Sequence, residues 1–312
     1  MARLLRYDAS MRPILLLPLF LAPLELPLVA QPRLLAQQVM REVRGAPGTV
    51  SLLAKNLDTG VEYGLRADAP VRTASTIKLP VMVAVFGEVE AGRARWDEEI
   101  ALREDEKISG SGILRELSAG VRLPLRDLLR LMFVISDNTA TNMVLDRITA
   151  DTVNRYMDEL GLPQTRSLRK VLGDRNQLKP DPSGWSEAGK LEANKSYGIG
   201  VSTPREMVAL LEKLERGQVV SPAASKEMIA ILKRQQYTDG IARRLGTVQT
   251  ATKSGALDAL RSDVGIVYSK GGRIALAITV DGMKGVEYSP DNPGLLLISR
   301  LAAILVDGLQ QR

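Results

Sequence analysis

The hydrophobic pattern of this chain of 312 residues changes its period twice. Near the N-terminal end, two segments alternate between apolar and polar residues around Asp58-Thr59-Gly60, which indicates a β-hairpin. The periodic segments from residue 75 to about residue 240 have helical spacing, and alternation returns from Val248 onwards. The pattern therefore predicts strands on both sides of a long helical stretch, at residues 49–57, 61–66, 248–253, 264–269 and 273–281.

Strands from both ends of a chain can share one sheet only if the two ends come together. We therefore expect an α/β fold, with an antiparallel five-stranded sheet flanked by an N-terminal helix and a C-terminal helix. The α/β lobe would comprise residues 31–70 and 245–312, and an inserted all-helical lobe would comprise residues 71–244. A cleft between two lobes is a common place for a ligand pocket. The predicted helices are residues 33–44, 125–134, 139–148, 152–160, 204–216, 222–236 and 295–306.

The N-terminus has the pattern of a cleavable signal peptide. Arg3, Arg6 and Arg12 precede an apolar run that ends in Leu28-Val29-Ala30. Prolines interrupt this run, so we do not expect it to remain as a stable membrane anchor, and Met11 is an alternative start. The sequence thus predicts a signal peptide over residues 1–30 and a mature domain over residues 31–312, exported to the periplasm or secreted.

The composition excludes several classes of chemistry. The chain contains neither histidine nor cysteine, which rules out Ser-His-Asp triads, Cys-His pairs and zinc sites built from those residues. Three Phe, seven Tyr and two Trp offer little surface for stacking bases, so we expect no nucleic-acid partner. In a hydrolase of this composition, a lysine or a carboxylate must transfer the protons.

Ser75 and Lys78 lie three residues apart at the start of an apolar run that is typical of a buried helix, so both side chains would share one helical face. Burial lowers the pKa of a lysine towards the range in which it can act as a base, and a serine beside such an amine is a candidate nucleophile. The spacing is a common one. Ser167 and Lys170 repeat it in a basic, irregular stretch where the lysine would stay solvated.

Two further short motifs occur once each. Ser136-Asp137-Asn138 follows one predicted helix where the next begins, and Lys253-Ser254-Gly255 lies at the end of the first strand after the helical stretch. Taken alone, Asp137 is explained equally well as a helix N-cap, and the second motif as a strand end that enters a turn. Together with the Ser75 motif, in this order, they form a specific triple.

This triple resembles the motif set of the penicillin-recognising serine hydrolases, which include the serine β-lactamases, most closely the class A type, and the D-alanyl-D-alanine peptidases. Lys-Ser-Gly stands here where the family usually has Lys-Thr-Gly, and the hydroxyl is kept. The resemblance extends from about residue 40 to the C-terminus, and Arg261 and Asp263 also resemble a class A relative. It implies a monomeric hydrolase that opens the β-lactam amide through an acyl-serine, without a metal or an organic cofactor.

The resemblance also implies residue roles. Ser75 would be the acylated nucleophile and Lys78 its base or proton relay. Ser136 would pass a proton to the leaving nitrogen with help from Lys253, whose charge also holds the substrate carboxylate. Asn138 would bind the acylamino side chain. Ser254 and Arg261 would add contacts to the substrate carboxylate, and Gly255 is a further implied substrate-binding residue. The backbone N–H groups of Ser75 and Ala256 would form the oxyanion hole.

One part of the family pattern is missing. Class A enzymes carry a glutamate, four residues before an asparagine, that activates the deacylating water, and no such pair occurs between Gly161 and Gly200. Turn-forming residues predict a long loop there without regular elements. Counting from Ser136 by the family's spacing arrives near Leu172, which cannot act as a base. Asp174 and Glu192 are the candidate bases of this loop.

The missing base leaves the rate of turnover open, because a general base typically contributes about 10²- to 10⁴-fold to the step it serves. The β-lactamase interpretation therefore has two rivals. One is a D-alanyl-D-alanine peptidase or esterase that acts on peptidoglycan-like peptides with the same residues. The other is a sensor that is acylated by penicillin and deacylates slowly.

Overall fold

The computed structural model describes residues 30–174 and 185–310 of the chain. The predicted signal peptide, apart from Ala30, lies outside the described residues. In chain order the helices are α1 (Ala30–Arg44), α2 (Lys78–Glu90), α3 (Leu125–Val134), α4 (Asn138–Ile148), α5 (Ala150–Glu159), α6 (Glu187–Lys190), α7 (Pro204–Glu215), α8 (Pro222–Leu232) and α9 (Pro293–Leu309). The strands are β1 (Thr49–Asn56), β2 (Glu62–Leu65), β3 (Val71–Arg72), β4 (Glu99–Ala101), β5 (Arg122–Pro124), β6 (Arg166–Ser167), β7 (Gly200–Ser202), β8 (Thr250–Leu257), β9 (Leu260–Ser269) and β10 (Gly272–Asp281).

The main sheet joins the two ends of the chain, as the alternating pattern predicted. Its five antiparallel strands have the order β2, β1, β10, β9, β8, and β1 pairs with β10 along its whole length. Helices α1 and α9 share a buried apolar cluster with one face of this sheet, in which the helices contribute Leu35, Val39, Leu297, Leu301 and Leu305. The predicted fold class is confirmed.

The other face of the sheet packs against the helical part of the chain. Ala275 and Ala277 of β10 belong to the helical cluster, whereas Ile274 and Leu276 face α1 and α9, as the period of two requires. Within that cluster every residue of α2 from Lys78 to Glu88 is buried. A helix that is apolar all round belongs in a core. This position of α2 brings the amine of Lys78 into the interior.

The inserted lobe, expected to be all-helical, also contains the short strands β3 to β7, which form two small sheets. Such short strands carry no alternating pattern long enough to be recognised.

The structure also differs from the sequence prediction in two places that matter for the site. The motif that begins at Lys253 lies in the middle of β8, not at a strand end, because β8 continues to Leu257 and turns into β9 through two residues only. The segment 161–200, predicted to lack regular structure, contains β6, α6, a short 3₁₀-helix at Glu192–Tyr197 and part of β7. These short elements depend on tertiary contacts, such as the Asn154 side chain bonded to the Ser167 backbone at 2.7 and 3.0 Å.

No helix in the described part of the chain combines the length and the apolar character that crossing a membrane requires.

Candidate active site

The three motifs meet at one cleft of about 710 Å³. The nucleophile candidate comes from the 3₁₀-helix Ala74–Ile77 that leads into α2, the second motif from the turn between α3 and α4, and the third from β8. Lys78 and Lys253 lie behind the cleft surface and reach it through hydrogen bonds. The predicted residues that line the cleft are Ser75, Ser136, Asn138, Asp174, Ser254, Gly255, Ala256 and Arg261.

Ser75 lies where the backbone of its own turn touches β8. The preceding residue, Ala74, has a φ of +46°, in the left-handed region. A Cβ atom placed on Gly255 would lie 3.0 Å from the Ser75 nitrogen and 2.8 Å from the Thr73 oxygen, so only glycine permits this approach. The close contact holds the backbone of Ser75 against the strand that carries Ala256, as the predicted oxyanion pair requires.

Lys78 is completely buried (0% exposed) and is held by three acceptors. Its Nζ donates to the backbone oxygen of Ser136 at 2.8 Å, to Ser136 Oγ at 3.1 Å and to Asn138 Oδ1 at 3.2 Å. Burial lowers the pKa of Lys78 well below its usual value; the charge of Lys253 acts in the same direction and that of Asp137 opposes it. None of the hydrogen bonds formed by this amine within the described residues reaches Ser75. Catalytic contacts are often longer before substrate binds.

Ser136 connects the two lysines. Lys78 and Lys253 each donate to its Oγ at 3.1 Å, which uses both acceptor positions of the hydroxyl and leaves its own proton free to be donated. Its φ of +56° is unusual for a residue other than glycine. Strained backbone of this kind occurs preferentially at functional sites. The conformation directs the carbonyl of Ser136 towards Lys78.

Lys253 is also completely buried (0% exposed). Its Nζ donates to the backbone oxygen of Ser254 at 2.8 Å and lies 5.8 Å from the centre of the Phe133 ring. Burial lowers the pKa of Lys253 to about 7, and the charge of the buried Asp263 opposes this shift. Burial also raises the pKa of Asp263 to about 7. The site therefore contains two amines whose pKa values are lower than that of an ordinary lysine.

Asp137 is a structural residue in this arrangement, as its N-cap interpretation proposed. Its carboxylate accepts the backbone N–H of Ala140 at 2.9 Å, capping α4, and those of Ile113 and Leu114 at 2.7 and 2.9 Å. A Cβ atom on Gly112 would lie 2.2 Å from this carboxylate. Asp137 thereby fixes the turn that places its neighbours, Ser136 and Asn138, in the cleft lining.

Asn138 and the loop opposite it form the other wall of the cleft. The Asn138 amide donates to the backbone oxygen of Ser109 at 3.0 Å. The Ser109 hydroxyl in turn accepts the backbone N–H of Asp174 at 2.9 Å. The Asp174 side chain is exposed and lines the cleft, while Leu172 two residues earlier is half-buried and is not part of the lining.

Sequence reasoning missed the residue that holds this loop. Asn142 of α4 forms two hydrogen bonds to the backbone of Val171, through its oxygen to the N–H and through its amide to the carbonyl, both at 2.9 Å. The signal was present in the sequence, because Asn142 lies four residues after Asn138 and therefore on the same face of the helix.

Two predicted residues are placed differently from the rest. Glu192 lies in the 3₁₀-helix after α6, is 86% exposed at its side chain and pairs with Lys195 at 2.5 Å, away from the cleft lining. Arg261 lies at the cleft wall, but its guanidinium is bonded to backbone carbonyls. The second Ser-X-X-Lys copy lies apart from the cleft: Ser167 is in β6, and Lys170 pairs with Asp146.

No cluster of three or more metal-ligating side chains is present in the part of the chain that the structure describes. Besides hydroxyls, amines and amides, the described cleft wall carries the carboxylates of Asp174, Asp239 and Asp258 and the guanidinium of Arg261.

This sheet with its helical insertion is the fold shared by β-lactamases and penicillin-binding serine hydrolases. The model of the β-lactamase enzyme family matches residues 34–309, and the protein belongs to that family.

Its relatives are distant in sequence. β-Lactamase L2 of Stenotrophomonas maltophilia is 24% identical over 272 residues, which cover 85% of this chain and 83% of that protein. A crystal structure of a β-lactamase from Sphaerobacter thermophilus has a TM-score of 0.75 and 27% identity over 88% of this chain and 96% of that chain. A PBP-A variant in an acyl-enzyme complex with penicillin G has a TM-score of 0.73 and 26% identity over 88% of this chain and 96% of that chain.

Proposed function

We propose that this protein is a class A-like serine hydrolase that opens the β-lactam amide through an acyl intermediate on Ser75. The observation that carries the proposal is the shared Ser136 hydroxyl, which accepts a hydrogen bond from each of two buried lysines, at 3.1 Å in both cases. A hydroxyl held in this way can give its proton to a leaving nitrogen and regain one from either amine.

In the proposed acylation, Lys78 first gives up one of the three protons with which it donates hydrogen bonds. Ser75 Oγ then attacks the lactam carbonyl, and its proton passes to the lone pair of the neutral amine. The lowered pKa of Lys78 supports this role, because it increases the fraction of the amine that is free to accept a proton. The negative oxygen that forms would be bound by the backbone N–H groups of Ser75 and Ala256. The carbon–nitrogen bond then breaks as Ser136 protonates the nitrogen, and Ser75 remains acylated.

Substrate binding uses the rest of the cleft. The protonated amine of Lys253 and the hydroxyl of Ser254 bind the substrate carboxylate, and the Asn138 amide binds the acylamino group. Ser254 lines the cleft one residue beyond Lys253, which supports a shared carboxylate subsite. We further propose that the chain is exported, where it would meet β-lactams or peptidoglycan-like peptides.

For deacylation, the described part of the cleft offers fewer candidate catalytic groups than it does for acylation. Asp174 is the predicted base that lines the cleft, and it is exposed. Slow deacylation favours a second candidate function, a penicillin-binding protein or sensor, for which the acyl-enzyme complex of PBP-A is the relevant parallel.

The two candidate functions differ in how long a penicillin would stay covalently bound to the protein. Purified residues 31–312 would be mixed with a fluorescent penicillin and, separately, with a chromogenic cephalosporin. Rapid colour with no lasting label supports the β-lactamase, and a lasting label with little turnover supports the penicillin-binding protein or sensor. Absence of both would contradict the proposed function.

The site of labelling has a matched control within the chain. Ser75→Ala should abolish the covalent label, whereas Ser167→Ala, in the second Ser-X-X-Lys copy, should leave it unchanged. Ser167 is buried in β6, outside the cleft lining, so its hydroxyl cannot meet the substrate. Mass spectrometry of the labelled peptide identifies the residue, and equal effects of the two variants would contradict the choice of Ser75.

A further inference from the structure

Arg261 is a buried cation whose partners are backbone carbonyls. It is 1% exposed. Its Nη1 donates to the carbonyls of Leu257 and Leu260, both at 2.6 Å, and its Nη2 donates to the carbonyl of Glu287. The ion pairs between described residues include none to Arg261. Three of the five N–H groups of its guanidinium are thus engaged by backbone carbonyls.

The carbonyls that Arg261 holds belong to two different parts of the cleft wall. Leu257 and Leu260 flank the tight turn between β8 and β9. Arg261 itself lies directly opposite Ala256 in the strand register, so it braces the backbone that carries the proposed oxyanion donor. Glu287 belongs to the segment 286–290, which contributes Val286 and other residues to the cleft lining.

Tyr288 makes a second bridge between the same two parts. The guanidinium carbon of Arg261 lies 4.7 Å from the centre of the Tyr288 ring, which is cation–π distance. The Tyr288 hydroxyl donates to Asp258 Oδ1 at 2.8 Å, in the β8–β9 turn. On the far side of the segment, Arg243 bonds to the Pro290 carbonyl at 2.5 Å. Segment 286–290 is thus held to the turn by the side chains of Arg261 and Tyr288.

We propose that Arg261 is a positioning residue which locks the β8–β9 turn, and with it the Ala256 backbone, to the cleft wall at 286–290, and that it does not bind the substrate carboxylate. This inference rests on the proposed acylation of Ser75. It differs from the role that the family resemblance implies for Arg261. Loss of the contact would misplace the oxyanion donor for every substrate, with or without a carboxylate.

The two roles are separated by pairing a penicillin with its methyl ester, which lacks the carboxylate charge. Arg261→Met should slow acylation of both compounds by the same factor, about tenfold to 10²-fold, because a misplacement near 1 Å can cost that much. The loss should appear in the rate constant at saturation more than in the apparent affinity. Ser254→Ala, the control, should slow the acid more than the ester. A selective loss for the acid in Arg261→Met would overturn the proposal.

Arg261→Lys provides the conservative comparison. A lysine keeps the charge but has no planar fork, so it can satisfy only some of the carbonyls. It should restore part of the acylation rate for the acid and for the ester alike. Recovery confined to the acid would contradict the positioning role, because it would show that charge near the carboxylate is what matters.

Hydrogen exchange can test the proposed effect of Arg261 on the β8–β9 turn and on segment 286–290 without any substrate. In Arg261→Met the backbone amides of residues 256–260 and 286–289 should exchange faster, while those of β1 stay unchanged. Unchanged exchange in the first two segments would overturn the proposal even if acylation slowed. If the wild-type chain is not acylated, the proposed function fails, and this measurement still decides the role of Arg261.

Tyr288→Phe tests the same bridge if Arg261→Met folds poorly. This variant removes the hydrogen bond to Asp258 and keeps the ring under the guanidinium. Residues 256–260 should then exchange faster, to a smaller extent than in Arg261→Met, and acylation of the acid and the ester should slow equally. Unchanged exchange in the turn would contradict the bridge.

Discussion

The two walls of the cleft differ in how far their polar groups are buried and held by hydrogen bonds. On the acylation side, Lys78 and Lys253 are fully buried and share hydrogen bonds to Ser136, so each polar group has a fixed partner. On the loop side, the described backbone at Val171 is pinned by Asn142, but the carboxylate that follows, Asp174, is exposed. The first wall has the groups that the proposed acylation needs, whereas the described residues of the second wall place only the exposed carboxylate of Asp174 in the cleft lining for the deacylation that would follow.

The difference teaches that acylation and deacylation make separate demands on this fold. The proposed acylation needs one neutral and one charged amine in a site that excludes water, and α2 and β8 bury Lys78 and Lys253 in this way. Deacylation needs one well-placed carboxylate on a loop. The residues for acylation can therefore be retained in a chain whose loop carboxylate differs. Substitutions in each wall of the cleft test the two steps separately.

The largest expected effect is at Lys78. Lys78→Met keeps the apolar packing of α2 but removes the base, so acylation should fall by about 10²- to 10⁴-fold. Stopped-flow labelling with a fluorescent penicillin measures the rate, with thermal melting as a check on folding. Lys170→Met is the matched control, since Lys170 belongs to the second Ser-X-X-Lys copy and forms an ion pair with Asp146. Comparable losses in both variants would contradict the role of Lys78.

The sequence allowed most of this acylation wall to be predicted, because its signals are local. The apolar run after Ser75 indicates a buried helix, and the break between two helices marks Ser136. The family resemblance then links these residues to Lys253. What could not be predicted were contacts between distant residues, such as the two lysines meeting at one hydroxyl or the guanidinium of Arg261 meeting three carbonyls. Such contacts depend on backbone positions that no short pattern encodes.

The next largest expected effect is faster deacylation, caused by a substitution on the loop side of the cleft. Leu172 stands near the position where the family spacing places the glutamate base, and it directly follows Val171, whose backbone is bonded to Asn142. Leu172→Glu should therefore speed deacylation by about tenfold to 10²-fold, the lower part of what a general base contributes. The lifetime of the fluorescent acyl-enzyme measures this, and Leu172→Gln is the uncharged control. A lifetime that is equally short in both variants would rule out base catalysis.

The pH dependence should be smaller and should have a definite sign. In the proposed acylation, Lys253 would bind the substrate carboxylate only when protonated, and burial lowers its pKa to about 7. Acylation of a penicillin should therefore fall as pH rises through about 7, by up to about tenfold per unit, and that of the methyl ester should fall less. Asp263 stabilises the charged amine. Asp263→Asn should thus move the falling limb to lower pH; an upward shift would contradict this coupling.

The loop carboxylates should give the smallest effects. Asp174→Asn should lengthen the life of the acyl-enzyme by less than about tenfold, because an exposed carboxylate is well solvated and serves poorly as a general base. Glu192→Gln should leave it unchanged, because Glu192 is paired with Lys195 and lies outside the cleft lining. Decay of the fluorescent label measures both. A longer-lived acyl-enzyme in Glu192→Gln than in Asp174→Asn would mean that the segment around Glu192 reaches the cleft during turnover, and the two walls would then no longer be separate.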